Sequence, residues 1–277
     1  MSNLSDTTSH IDIRQPEFWT LQLALCPKVI QYTLFDVDEE NSLIAGEVPL
    51  DLSGGSYLKA VENAIYDNPA LLQDYKQVRV LIFSQHFMIL PPEYSAETDA
   101  EEAFRAMYAD AKGDVATCFL PRCHAHIAFE VEKGLIGFLH RTFNIPPIVH
   151  HLYPLMEHFK WQDERRTGAC MHLNLRQEGI DMLIVRDKQL LMANSIACTA
   201  PDDVVYYALH AWQSFNLEAT RHELFITGGK ALRDAVIPTL RKYVSYVMPS
   251  IFPAAALKIG QDAVKAPFEL ILLALCE

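Results

Sequence analysis

Between residues 169 and 196 the chain reads ACMHLNLRQEGIDMLIVRDKQLLMANSI, three apolar runs broken at Arg176-Gln177-Glu178-Gly179 and again at Arg186-Asp187. Short apolar runs separated by polar breaks predict a three-stranded meander. Pro201 then opens a helix over 202–215, and HELFITGGKA gives an apolar strand, 223–227, that closes on Gly228-Gly229 before a helix over 232–244. A meander, a helix and a strand ending on a Gly pair make a layout suited to holding a nucleotide.

The first half carries a related series. Residues 1 to about 20 read as a leader with Phe18 and Trp19 as anchors. VIQYTLF and SLIAGEVPLDL form a hairpin around Asp36-Val37-Asp38-Glu39-Glu40-Asn41-Ser42, residues that favour tight turns. Ser56 caps a helix over 56–72, with Leu58, Val61 and Ile65 at near-helical spacing. One strong β run covers 78–90 and stops at Pro91-Pro92. An acidic helix over 97–110 follows, then strands in TCFLP and CHAHIAFEV, a helix near 133–142, a strand at IVHHL and a short helix with Pro154 in its first turn. The polar segment 160–168 is the best lobe boundary, giving lobes 1–160 and 161–277, and the order of elements in the first recurs in the second.

Composition narrows the function. Half of the residues are hydrophobic, enough for packed cores. Lys plus Arg number 23 against 35 Asp plus Glu, a net charge of −12 without a dense basic run, which argues against nucleic acid as a partner. No apolar run approaches the roughly 20 residues of a membrane span, and the N-terminus lacks an apolar signal core. Six scattered cysteines without a CxxC read as free thiols, so a cytoplasmic protein is expected.

The meander 169–196 resembles the second phosphate-loop meander of the actin-like ATPase superfamily, which holds actin, Hsp70 and sugar kinases. HELFITGGKALRDAVIPTLRKYV resembles that superfamily's adenosine strand and the helix after it. The whole chain resembles a bacterial family of unknown function (DUF3822), common in Bacteroidetes. The resemblance implies an α/β, actin-like (ribonuclease H-like) fold of two related lobes, each a mixed β-sheet flanked by helices, with ligand taken between lobes. It also implies an Asp-x-Gly at each phosphate hairpin. This chain has Asn174-Leu175-Arg176 at the second, and Phe35-Asp36-Val37 is the match for the first.

Were a nucleotide bound, Gly228, Gly229, Asn174 and Gly179 would contact it, and Lys230 would stand near its phosphates. The departures from Asp-x-Gly point instead to a catalytically degenerate member, without catalytic residues, metal or cofactor, working as a binding or scaffold protein on a protein partner. The competing expectation is a divergent ATPase or kinase that holds ATP and Mg²⁺ with Asp36, Asp181 or Glu178.

Other constellations are weaker. Asp36 and Asp38 read as turn formers rather than cation ligands. His124, His126, His150 and His151 supply ligand types for a metal-dependent hydrolase, but on separate strands. Ser84-Gln85-His86 has Ser and His on one face without a visible third partner. There is no Gly-x-Ser-x-Gly elbow, GxGxxG or Walker loop.

Overall fold

A computed structural model describes residue 13 and residues 15–94, 96–163 and 166–276; most of the expected leader lies outside these. The chain forms two compact units: Met1–Leu120, His124–Tyr153 and Pro253–Glu277 make the first, Pro121–Cys123 and Pro154–Phe252 the second. Residues 253–277, counted with the second lobe in a linear division, pack with the first unit.

In the first unit, β1 (Trp19–Leu25), β2 (Val29–Asp36) and β3 (Ile44–Pro49) form an antiparallel meander. Helix α1 (Tyr57–Tyr66) starts where Ser56 Oγ accepts from the Lys59 amide at 3.2 Å, and leads to β4 (Gln77–Ile82), parallel to β1. The expected hairpin is therefore a meander, and the leader ends sooner than its sequence suggests. Every position of β1 after Trp19 is buried, so the apolar–polar alternation that would announce a strand is missing.

The β run 78–90 divides. After β4 the chain bends, with Ser84 Oγ donating to the His86 carbonyl at 3.1 Å. It then enters β5 (Phe87–Leu90), which joins a separate three-stranded sheet with β6 (Asp114–Leu120) and β7 (Ala125–Val131) in the order β5-β7-β6. Helix α2 (Glu97–Met107) covers that sheet through Ala100 and Phe104. Helix α3 (Leu135–Thr142) and β8 (Ile148–His150) complete the first large sheet, ordered β3-β2-β1-β4-β8.

The second unit repeats this order. After α4 (Leu152–Gln162) come the meander β9 (Ala169–Arg176), β10 (Gly179–Arg186) and β11 (Gln189–Ile196), then α5 (Pro201–Ser214), β12 (Glu223–Gly228), α6 (Lys230–Leu240) and β13 (Tyr246–Pro249). The sheet order is β11-β10-β9-β12-β13, again three antiparallel strands followed by two parallel ones. The strand β13 is four residues long, too short to show a period in the sequence.

One face of this sheet supplies Met171, Leu173, Leu175, Ile180, Met182, Leu224 and Ile226 to a core shared with Val204 and Trp212 of α5 and Val236 of α6. Because side chains alternate across a strand, Cys170, His172, Asn174 and Arg176 fall on the other face.

The chain then returns through α7 (Ala256–Ile259) to α8 (Phe268–Ala274), whose Leu270 and Leu273 pack on Ala24 and Leu81 of the first sheet. Polar side chains of the first sheet fix this return. Arg79 Nη1 donates to the carbonyls of Leu273 and Cys276 at 3.0 and 3.2 Å. The Gln22 amide, oriented as its partners dictate, donates to Leu270 O at 2.8 Å and accepts from the Ala274 amide at 3.0 Å. The carbonyls at a helix C-terminus lack partners within the helix, and a guanidinium satisfies two of them here.

Candidate functional site

A row of buried polar side chains crosses four strands on the second sheet's polar face. Strand register places Thr227 of β12 beside Asn174 of β9, Asn174 beside Asp181 of β10, and Asp181 beside Ser195 of β11. All four lie at or below 9% exposure, too deep for water to satisfy them, and they bond one another. Thr227 Oγ1 donates to Asn174 Oδ1 at 2.9 Å, and Asn174 Nδ2 donates to Asp181 Oδ2 at 3.0 Å. Ser195 Oγ donates to Asp181 Oδ1 at 2.8 Å.

Arg176, the last residue of β9, completes the network. Its Nε lies 3.1 and 2.9 Å from the two carboxylate oxygens of Asp181, and its Nη2 donates to Ser195 Oγ at 2.8 Å. An ionised carboxylate offers about four lone-pair positions, and these donors use them. The guanidinium stands at the hairpin where the resemblance implies a glycine and a phosphate.

The predicted glycines divide into two kinds. Gly179 pairs with Arg176, and a Cβ there would lie 2.6 Å from Ile196 O and 2.9 Å from Arg176 Nη2, so its missing side chain makes room for the guanidinium. Gly228 has φ +108°, and a Cβ would meet Leu175 O at 2.2 Å, so it permits close approach of β12 to β9. Gly229, the N-cap of α6, has open space where a Cβ would be. Lys230 is exposed at the start of α6, and Glu178 is exposed in the β9–β10 turn.

The expected first phosphate hairpin is corrected. By strand order the counterpart of the β9–β10 turn is the β1–β2 turn at Cys26-Pro27-Lys28, which holds neither Asp nor Gly. Asp36 pairs with Trp19 at the opposite end of that hairpin. Its Oδ1 accepts from the Asp38 amide at 2.9 Å, the bond of an Asx turn. The apparent Asp-x-Gly match arose because β1 is concealed in the sequence.

The histidines do not converge as a group. His124 and His126 lie against Phe119, while His150 and His151 are buried against Phe87 and Phe83. His86 does find a third group, Glu130, whose Oε2 lies 2.6 Å from its Nδ1. Ser84 bonds the His86 backbone rather than its ring, so no nucleophile–base pair forms.

Sequence reasoning passed over a second cluster on the same face. His172 Nε2 lies 2.7 Å from Asp163 Oδ2, and its ring is stacked between Phe159, centroid 4.0 Å away, and Phe225, 5.5 Å away. Arg166 Nε is 3.1 Å from Asp163 Oδ1, and its Nη1 bonds Glu223. Burial, then the charge of Asp163, pushes the Cys170 thiol up to about 12. His158, near this cluster, is depressed to about 4 by burial and then by the charges of His172 and Arg122. Among the described residues, Asp163, Cys170 and His172 are the group whose metal-type ligand atoms all lie within 4.8 Å of one another. The alternation of Cys170, His172 and Asn174 with apolar neighbours was the available signal; Asp163 gave none.

Comparison with known proteins places this architecture. A solved Bacteroides thetaiotaomicron protein with actin-like ATPase fold and unknown function is similar at a TM-score of 0.80 and 24% identity, over 97% of this chain and 100% of that one. A structure of the PilM–PilN type IV pilus biogenesis complex is similar at a TM-score of 0.53 and 12% identity, over 92% and 98%. The fold is thus the actin-like ATPase fold, as the meander and Gly-ended strand implied. No curated protein matches the chain. The family described as protein of unknown function (DUF3822) matches residues 8–247, and the chain belongs to it.

Proposed function

We propose that this protein is a catalytically degenerate member of the actin-like fold that acts in the cytoplasm as a binding or scaffold protein, through contacts with a protein partner. The observation that carries this reading is the guanidinium of Arg176 on the carboxylate of Asp181. A carboxylate that engages a nucleotide's metal needs free lone pairs, and those of Asp181 are taken by Arg176, Ser195 and Asn174. The β1–β2 turn lacks Asp and Gly as well, so neither hairpin fits a metal-bound triphosphate.

Two further facts support the reading. The fold occurs in the PilM–PilN complex, where a protein of this architecture meets a protein partner. All six cysteines are free, in keeping with a reducing compartment, and among the described residues no helix is long and apolar enough to cross a membrane.

Isothermal titration of ATP with Mg²⁺ tests the proposal. The expected result is no saturable heat and no turnover. Micromolar binding with turnover that Gly229→Trp abolishes would establish the competing ATPase reading, for which the open space at Gly229 is the favouring feature.

A further inference from the structure

We propose that Asp163, Cys170 and His172 form a binding site for a divalent transition-metal ion of the zinc class. It is independent of the nucleotide reading, since none of the three belongs to the Arg176–Asp181 network.

The three side chains are 2%, 5% and 1% exposed, and their candidate ligand atoms lie within 4.8 Å of one another. They offer one thiolate, one imidazole and one carboxylate, a mixed set that suits Zn²⁺ better than Mg²⁺ or Ca²⁺. The carboxylate is incompletely satisfied as it stands: Asp163 Oδ1 faces the Arg166 charge without a well-formed hydrogen bond. Cys170 Sγ makes only long contacts, 3.6 Å to Glu223 Oε2 and 3.9 Å to Arg166 Nη1.

Charge points the same way. With His172 as the neutral imidazole that a metal requires, the carboxylates of Asp163 and Glu223 face a single guanidinium, that of Arg166, which leaves one negative charge for the ion to offset. A divalent ion that displaces the Cys170 proton to solvent brings the sum to zero. Arg166 need not leave: it stays on Asp163 Oδ1, orienting the carboxylate, while Oδ2 turns to the metal, the usual role of a polar group behind a ligand. Ligands of a tetrahedral ion stand about 3.3 Å apart for bonds of about 2.0–2.1 Å, so Asp163 and His172 must part by roughly half an ångström from their present 2.7 Å. A water completes the fourth position.

Titration of the metal-stripped full-length protein with Co²⁺ tests the site, because tetrahedral thiolate-bound Co²⁺ gives visible bands and a sulfur-to-metal charge-transfer band. The expected result is saturation at one equivalent, loss of the charge-transfer band in Cys170→Ser, and affinity at least about tenfold weaker in His172→Gln. A variant with the other five cysteines changed to Ser, keeping Cys170, retains the band, so the assignment does not depend on Cys170→Ser folding. No thiolate band in the native protein overturns the proposal, as does a band that survives Cys170→Ser or disappears when only Cys170 is kept in a folded chain.

Discussion

Arg176 lays its guanidinium across the buried carboxylate of Asp181, with Nε 3.1 and 2.9 Å from the two oxygens, at the hairpin between β9 and β10. Asp181 has no exposure, so its charge depends on this partner and on the donors beside it.

Arg176→Ala leaves that carboxylate buried without its counter-charge, and a loss of about 3 kcal/mol is expected. Replacing the pair together, Arg176→Met with Asp181→Leu, removes both the charge and its need for a partner and costs less than Arg176→Ala alone. Urea unfolding of Arg176→Met, Asp181→Leu and the double variant measures the coupling. Additive losses would show that the pair does not act as a unit.

The two glycines of the Gly pair are predicted to behave oppositely. Gly228→Ala puts a Cβ 2.2 Å from Leu175 O at φ +108°, and a loss of about 2–3 kcal/mol is expected from backbone strain and the clash. Gly229→Ala meets open space and changes stability by less than about 0.5 kcal/mol. Thermal melts of the two variants side by side check the contrast.

His158 makes stability depend on pH. Its pKa is lowered from 6.5 to about 4, chiefly by burial, so between these values the unfolded chain binds the proton more readily. Its contribution is whole above pH 6.5 and is lost as pH falls toward 4. From pH 7 to pH 5 the loss is about 1–2 kcal/mol, and His158→Gln removes that part of the slope. Unfolding free energies of both proteins at several pH values give the difference directly.

Arg79→Ala should loosen the C-terminal helix α8, since it removes two charge-assisted bonds to the carbonyls of Leu273 and Cys276. A loss of about 1.5–3 kcal/mol is expected, with faster amide exchange in α8 than in β9 or β10. Hydrogen exchange resolved by segment reports whether the effect is confined to the helix.

The meander β9–β11, α5, and the strand β12 closing on Gly228 were legible because apolar runs bounded by polar breaks and a Gly pair fix local structure by short-range rules. The same rules failed at β1, whose burial on both faces removes alternation, and from that miss came the assignment of Asp36 to a phosphate hairpin. They failed again at 78–90, where one continuous β pattern serves two sheets, because periodicity records which face is buried but not which strand lies alongside.

The sequence by itself determined the α/β class, the doubled order of elements and the absence of Asp-x-Gly at Asn174-Leu175-Arg176, since each of these is written in neighbouring residues. Only the tertiary structure decided that Arg176 closes on Asp181, that Asp163 and Cys170 reach His172, and that residues 253–277 return to the first unit. Such pairings join residues on different strands or distant segments, and sheet register and packing, rather than sequence spacing, bring them within bonding distance.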